Sequence, residues 1–171
     1  MANLSRVLQQ SNMEPPWSRP VRRAAGFIVY RRMPNVEFLL MQASYKTHHW
    51  SPPKGHVKPG ESDYETALRE TFEEAGFTQE MLKIVPDYTI ELDYMVENQR
   101  KGKTEPKKVV YYLAELMNPK ENNVKLSNEH QDFKWLPLKE TCKLSGFKDL
   151  NDAFEKSLVK IESLSPVGIA T

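Results

Sequence analysis

Residues 55–77 constrain this chain more than any other segment, because they join a glycine-opened loop to a helix with an acidic end. The last turns of that predicted helix carry Glu70, Glu73 and Glu74. A helix that ends at Gly76 has the negative end of its dipole there, which costs about 0.3–1 kcal/mol for each nearby acid. Glu70 and Glu74 are also like charges one turn apart, which adds a further penalty. Because a bound hard cation is the simplest compensation, the segment predicts a divalent-metal site.

The composition of the whole chain fits a single globular domain. The chain has 171 residues, enough to bury a core without disulfides, and its one cysteine, Cys142, fits a reducing compartment. A net charge of +1 gives no general reason to bind DNA. No run approaches the ~18 apolar residues of a membrane span, and no signal-peptide pattern opens the chain. We therefore expect a monomeric cytoplasmic protein with no membrane or DNA partner, and a nuclear location is also compatible.

The chain divides into three predicted parts. Residues 1–20 are polar, contain three prolines and predict a flexible leader; residues 21–164 form the domain, and residues 165–171 form a loose tail. Helical patterns interleaved with strand patterns favour an α/β or α+β fold, a layered sandwich with a mixed sheet. The expected strands are 24–30, 37–43, 89–96, 108–116 and 132–138. The expected helices are 62–75 and 149–164.

A basic connection joins two of these strands. Residues 97–107 read ENQRKGKTEPK, with four basic side chains among eleven residues and several turn formers. The pattern predicts a hairpin with a long cationic tip. A mobile basic loop of this kind would close on an anionic substrate through charge-assisted hydrogen bonds.

The acidic helix also has a well-marked start and a predicted packing face. Ser62 followed by Glu65 is a capping-box pattern, which gives Glu65 a structural role. Glu61 is expected to fold back to Arg69 and tie the loop to the helix. At the helical period, one side should pack on the core while Glu70, Glu73 and Glu74 lie opposite. The residues expected on the packed side are Tyr64, Ala67, Leu68, Thr71, Phe72 and Ala75.

The spacing of the full segment resembles a known family motif. Gly55, five residues, Glu61, seven residues and then RETFEEAGF from Arg69 to Phe77 match the Nudix box, GX5EX7REUXEEXGU, in which U is a bulky aliphatic residue. The departures are Thr71 and Phe77, and neither removes a charged position. The resemblance implies an α/β/α sandwich that binds Mg²⁺, or Mn²⁺ in its place, and hydrolyses nucleoside diphosphates linked to another moiety.

The same resemblance assigns roles to the acids. It makes Glu70 and Glu74 the direct metal ligands, with Glu73 either a ligand or a residue that positions water. A Mg²⁺ ion held by a few carboxylates keeps sites for water and phosphate oxygens, which agrees with this chemistry.

The flanks of the box are similar to the animal-type asymmetrical diadenosine tetraphosphate hydrolases. The similar segments are QASYKTHHWSPPKGHV at 42–57, VVYYLAEL at 109–116 and LSNEHQDFKWL at 126–136. This family accepts threonine at the position of Thr71. The resemblance implies a small-molecule dinucleoside polyphosphate substrate that is split into ATP and AMP.

The resemblance also implies site residues outside the box. Glu129 corresponds to a glutamate that assists the metal or the attacking water, and the general base stays open between Glu70 and Glu129. Two aromatic residues, Tyr94 and Phe147, correspond to a pair that stacks on adenine, whereas Trp135 and Tyr112 are assigned to packing. The residues expected to face the oligophosphate are Tyr45, His49, Lys54, Lys107 and Tyr111.

Two further functions stay open at this point. A Nudix box cuts a pyrophosphate, so the same groups would also serve an enzyme that acts on RNA 5′ ends or nucleotide caps. The non-enzymatic alternative is a nucleotide-binding module without catalysis. The intact acids Glu70, Glu73 and Glu74 argue against it, because a binding module has no need of clustered like charges.

Overall fold

A mixed β-sheet organises the part of the chain that the computed structural model describes, which is residues 21–45, 48–98 and 100–164. The predicted leader at 1–20 and tail at 165–171 lie outside these residues. The strands are β1 Arg22–Arg32, β2 Val36–Ala43, β3 Trp50–Ser51, β4 Lys54–His56, β5 Leu82–Asn98, β6 Lys103–Leu116 and β7 His130–Leu136. The helices are α1 Asp63–Ala75, α2 Leu138–Ser145 and α3 Lys148–Ser163, with a short 3₁₀ turn at Gln79–Met81.

Strand β1 lies at the centre of this sheet. It runs parallel to β6, with Arg22 opposite Lys107 and Tyr30 opposite Glu115, and antiparallel to β2 and β4. The strand order is β3-β2-β1-β6-β5, while β4 pairs with β1 and β7 pairs with β2. Parallel and antiparallel pairs in one sheet confirm the predicted mixed sheet.

Helices cover both faces of the sheet. Alternate residues of the central strands point to opposite sides, and apolar residues on both sides pack against helices. On one face, strand residues pack with Leu150, Phe154 and Ile161 of α3. On the other face, they pack with Ala67 and Ala75 of α1. The predicted packing residues are in place as well: Tyr112 contacts Phe27 and Tyr64, and Trp135 lies beside Phe77. The fold is therefore the expected layered α+β sandwich.

The predicted hairpin is confirmed, but its long cationic tip is wrong. Strands β5 and β6 continue to Asn98 and Lys103, which pair with each other, so only residues 99–102 connect them; Gly102 has φ 59°. Glu105 accepts a hydrogen bond from Asn98 and pairs with Lys101, which stabilises the end of the hairpin. Lys107 therefore stands on a strand rather than on a mobile tip.

The predicted packing face of α1 is wrong at Phe72, whose side chain is 54% exposed. The buried sector of the helix is centred on Ala67 and Thr71, and Phe72 is rotated from Ala67 by about 140°. Glu70 and Glu74 lie inside the buried sector instead. The acids expected on an open face are thus partly enclosed by the fold.

Other differences concern short elements. Helix α2, which follows Pro137, was not predicted, because eight residues are too few for a clear helical period. Strand β5 begins at Leu82 rather than at residue 89, with an irregularity between Ile84 and Thr89 in its pairing with β6. In the described residues no helix has the length and apolar character needed to cross a membrane.

The start of α1 follows the predicted capping box. The Glu65 backbone N–H donates to Ser62 Oγ at 3.1 Å, and the Ser62 N–H donates to Glu65 Oε2 at 2.8 Å. At the other end Gly76 adopts the left-handed conformation, with φ 78°, and its N–H donates to the Phe72 carbonyl. Both ends of the helix that carries the acids are therefore fixed by the local sequence.

Replacement of the cap tests this local control. Ser62→Ala should lower the free energy of unfolding by about 1 kcal/mol, because the Glu65 backbone N–H loses the Ser62 hydroxyl that accepts its hydrogen bond. Urea denaturation followed by circular dichroism measures the change. Ser62→Thr is the matched control, because threonine keeps a hydroxyl acceptor at the N-cap, and it should cost only a few tenths of a kcal/mol. Equal losses in the two variants would contradict the capping role.

Candidate active site

Glu74 is a buried carboxylate at the contact between α1 and β4. Its side chain is 5% exposed, and Oε2 accepts a hydrogen bond from the Lys54 backbone N–H at 3.0 Å. Burial raises the pKa of Glu74 well above its usual range, and the neighbouring charge of Glu70 raises it further. The fold therefore holds a carboxylate where its negative charge is unfavourable without a cation nearby.

Glu70 lies against the loop that precedes the helix. Glu70 is 9% exposed. A Cβ atom added to Gly55 would stand only 2.0 Å from the Glu70 carboxyl carbon. Burial raises the pKa of Glu70, while the hydrogen bond from Arg69 opposes that change. Gly55 is thus required by the close approach of its backbone to a candidate metal ligand.

The Arg69 guanidinium ties these groups together. Its Nε and Nη2 donate to the two carboxylate oxygens of Glu61 at 2.7 and 2.9 Å, which confirms the predicted pair. Nη2 also donates to the His56 carbonyl at 3.1 Å. Nη1 donates to Glu70 at 2.8 Å and to Glu73 at 3.2 Å. The loop, strand β4 and the acidic helix are therefore joined through one side chain.

Glu129 reaches the same site from the loop before β7. The Ser44 N–H donates to the Glu129 carbonyl at 2.9 Å, and Ser44 Oγ donates to the Asn128 carbonyl at 3.0 Å. The charge of Glu129 contributes to the raised pKa values of Glu70 and Glu74. The backbone contacts with Ser44 hold the loop that carries Glu129 beside the end of β2.

One open cavity of about 960 Å³ connects these acids to the other candidate residues. Its size is at the upper end for small-molecule sites, which are roughly 300–1,000 Å³. All eleven residues expected from the sequence line it: Tyr45, His49, Lys54, Glu70, Glu73, Glu74, Tyr94, Lys107, Tyr111, Glu129 and Phe147. The structure therefore brings into one place residues that are up to about a hundred positions apart in the chain.

The register of β5 on β6 builds one wall of the cavity. Tyr94 is opposite Lys107, and the Lys107 ammonium lies 5.9 Å from the centre of the Tyr94 ring. Tyr111 stands on the same face of β6 but is buried in the core, so it forms part of the floor. Phe147, at the start of α3, also lines the cavity and keeps 57% of its surface exposed.

The segment that connects β2 to β3 contributes Tyr45 and His49. Their rings make an edge-on contact, with 6.5 Å between centres. Burial raises the pKa of Tyr45, and the charge of Glu74 adds to that effect. Both side chains thus stand near the acidic end of the cavity.

Sequence reasoning missed several residues of the lining. His56 and Lys58 alternate with Lys54 along an extended segment, and this alternation was the available signal. Lys148 and Asp149 follow Phe147 at the start of α3 and carried no comparable signal. The apolar part of the lining consists of Ala24, Leu92, Val96, Val109 and Leu150, and Ser51, Gly55 and Arg69 complete the lining.

The carboxylates fit a hard divalent cation by their chemistry. Oxygen donors are the ligands that Mg²⁺ and Mn²⁺ prefer, and a cation would relieve the burial of charge at Glu70 and Glu74. Among the described residues, no three acidic, histidine or cysteine side chains stand together as a ready-made set of ligands. Arg69 forms ion pairs with both Glu70 and Glu73, at 2.8 and 3.2 Å.

Comparisons with known proteins agree with this fold and site. The family described as NUDIX domain matches residues 20–157. A Caenorhabditis elegans bis(5′-nucleosyl)-tetraphosphatase [asymmetrical] is 46% identical over 137 residues, which covers 80% of this chain and 94% of that protein. The Sus scrofa protein with the same description is 47% identical over 141 residues, covering 78% and 91%.

A solved structure gives the same result. The crystal structure of a C. elegans Ap4A hydrolase binary complex superposes with a TM-score of 0.76 at 44% identity, covering 83% of this chain and 98% of that chain. The chain belongs to the Nudix family. It is an enzyme, a Nudix hydrolase, with the mixed sheet and flanking helices of that fold.

The pairing of Glu61 with Arg69 predicts a pH-dependent contribution to stability. Hydrogen bonds from Arg69 lower the pKa of Glu61 from 4.5 to about 2 in the folded protein. The pair therefore stabilises the fold above about pH 4.5, and its contribution is lost as the pH falls through 2. Glu61→Gln should lower the free energy of unfolding at pH 7, and its difference from wild type should shrink between pH 4.5 and 2.

Urea denaturation at pH 7, 5, 3 and 2 measures this difference. Glu121→Gln, which changes an exposed carboxylate in the turn after β6, is the control and should follow wild type at each pH. A difference between Glu61→Gln and wild type that stays constant down to pH 2 would show that the pair does not set it.

Proposed function

We propose that this enzyme is a Mg²⁺-dependent hydrolase that cleaves diadenosine tetraphosphate asymmetrically into ATP and AMP. The observation that carries the proposal is one cavity lined by buried carboxylates, by cationic groups and by an aromatic pair. Such a set matches the three parts of the substrate, which are a reacting phosphate, a polyphosphate chain and an adenine. The 46% identity with an asymmetrical bis(5′-nucleosyl)-tetraphosphatase supports the same substrate class.

The carboxylates would hold the ion and handle the proton. Glu70 and Glu74 are the proposed direct ligands, and Glu73 and Glu129 complete or adjust the set. When bound, the ion neutralises phosphate charge and makes water a better nucleophile. Glu70 or Glu129 accepts the proton as the water oxygen bonds to phosphorus and the bridging oxygen leaves with the ATP product.

The rest of the cavity would orient the substrate. Lys54, Lys107 and His49 supply positive or hydrogen-bonding groups for the phosphates, with Tyr45 beside them. Tyr94 and Phe147 stack on one adenine, and a ring of this kind contributes about 1–3 kcal/mol to base binding. A nucleoside clamped at a fixed place relative to the acids restricts attack to one phosphate, which gives unequal products.

Product analysis tests the proposal directly. The purified protein is incubated with diadenosine tetraphosphate and Mg²⁺ in ¹⁸O-labelled water, and the products are separated by chromatography and weighed by mass spectrometry. Equal amounts of ATP and AMP, with the label in AMP, are expected from attack at the phosphate distal to the ATP moiety. Two ADP molecules, or no cleavage, would refute the proposal.

Competition separates the second enzymatic function, which is removal of RNA 5′-end phosphates or caps. Equal concentrations of diadenosine tetraphosphate and a capped RNA are supplied together, and both products are followed. Preferential cleavage of the dinucleotide is expected. Faster cleavage of the cap would favour the RNA function.

The cavity is lined by all eleven candidate residues of a single chain. We therefore further propose that the active species is a monomer. Size-exclusion chromatography measures the oligomeric state.

Glu74→Gln tests the metal assignment. The substitution preserves shape but removes the charge, so turnover should fall on the order of 100-fold or more. Binding of Mg²⁺ to the folded wild-type protein should raise its melting temperature, and the variant should lose much of that rise. Glu65→Gln is the matched control, because glutamine still completes the capping box and leaves the cavity unchanged. A Glu74→Gln variant with near-wild-type turnover would show that Glu74 is not a ligand.

Phe147→Leu tests the adenine clamp. Loss of the ring should raise KM for diadenosine tetraphosphate by about 5- to 150-fold, the equivalent of 1–3 kcal/mol, with a smaller change in kcat. Phe147→Tyr keeps a flat ring and should remain within a few-fold of wild type. Steady-state kinetics compares the three proteins. Equal KM values for leucine and phenylalanine would remove Phe147 from the clamp.

A further inference from the structure

Three side chains at alternate positions line the cavity along one extended segment. They are Lys54, His56 and Lys58. In an extended chain, residues two apart point to the same side and stand about 6–7 Å apart. The resemblance assigned a role to Lys54 alone, so His56 and Lys58 have no role in the proposed reaction so far.

The backbone of this segment is fixed on both sides. Strand β4 pairs antiparallel with β1, with Gly26 opposite Lys54 and Ala24 opposite His56. The Val57 N–H donates to the Arg23 carbonyl at 3.0 Å, which extends the pairing beyond the strand. The Lys58 N–H then donates to Glu61 Oε1 at 3.0 Å. The three side chains therefore project from a rigid support rather than from a free loop.

The surroundings of His56 are cationic. The register of β1 with β6 places Arg22 beside Lys107, one position along the face from Ala24 and His56. Partial desolvation lowers the pKa of His56, and the charges of Lys107, Arg22 and Lys54 lower it further, against a hydrogen bond to the Arg23 backbone. Positive charges that repel each other in this way favour a polyanion as their common ligand.

We propose that Lys54, His56 and Lys58 form a polyphosphate strip, in which His56 and Lys58 bind phosphates beyond the one held by Lys54. The strip makes affinity rise with the number of consecutive phosphates, because a short chain reaches one side chain and a longer chain reaches two or three. This inference rests on the proposed function, since it names the part of the substrate that sets the preference for long polyphosphates. Each contact is a charge-assisted or neutral hydrogen bond to a phosphate oxygen.

Binding of inorganic phosphates tests the strip without catalysis. Isothermal titration calorimetry in metal-free buffer compares tripolyphosphate with pyrophosphate on wild type, His56→Gln and Lys58→Gln. Each variant should bind tripolyphosphate about tenfold more weakly, the size of one charge-assisted hydrogen bond, and pyrophosphate with a smaller loss. Lys83→Gln is the control, because Lys83 is exposed on β5 and does not line the cavity.

The outcomes separate the strip from general electrostatics and from the proposed function. Equal losses in Lys83→Gln and the two strip variants, or unchanged tripolyphosphate binding in the strip variants, would overturn the inference. Circular dichroism verifies that each variant is folded, and His56 and Lys58 are both exposed. If wild type fails to cleave diadenosine tetraphosphate, the proposed function fails, whereas a flat calorimetric response in a protein that does cleave it removes the strip alone.

Discussion

The guanidinium of Arg69 holds the acidic site in place, and the other features of that site depend on it. Its donors reach Glu61, Glu70, Glu73 and the His56 carbonyl, so a single planar group fixes the loop, a strand and the helix relative to one another. A lysine has no comparable fork of donors and would satisfy fewer of these partners. The positive charge of Arg69 also offsets part of the repulsion between carboxylates that the fold brings close together.

The chemistry of the site depends on the positions of the two buried acids beside Arg69. Glu70 and Glu74 are enclosed between α1 and β4, with Gly55 providing the space and the Lys54 N–H one hydrogen bond. Because burial removes these carboxylates from water, a cation bound beside them stabilises their charged form. The helix therefore has two roles: its Ala67 side packs against the sheet, and its acidic margin faces the cavity.

The register of the sheet provides one substrate-facing wall of the cavity. Strands β4, β1, β6 and β5 place Lys54, His56, Lys107 and Tyr94 in adjacent rows at one end of the sheet. Because each strand alternates sides, every second residue reaches the cavity, while Ala25 of β1 and Val110 of β6 pack on the opposite face with α1. Lys54, Lys107 and Tyr94 are thereby held on strands, which are more rigid supports than loops.

Short-range features of the site were accessible from the sequence because helix geometry converts spacing directly into position. The capping pair Ser62 and Glu65, the pair Glu61 and Arg69 and the grouping of Glu70 with Glu74 all follow from separations within one loop and helix. Strands β1 and β2 and helix α3 were predicted for a related reason, since their apolar periods are clear. Glu129, Tyr94 and Phe147 came from family resemblance, because no local period links them to the acids.

Local spacing and motif specify the acidic loop-helix segment, its capping and its family, and the interleaving of helical and strand patterns indicates the mixed sheet. Tertiary structure decided that Phe72 faces outward while Glu70 and Glu74 turn inward, because the direction from which the sheet covers α1 is not contained in the helix itself. It also decided that residues 103–107 continue a strand, since pairing with β5 outweighs their polar, turn-forming composition. The alignment of His56 and Lys58 with Lys54 inside one cavity likewise depends on the pairing of β4 with β1, a contact between segments that are distant in the chain.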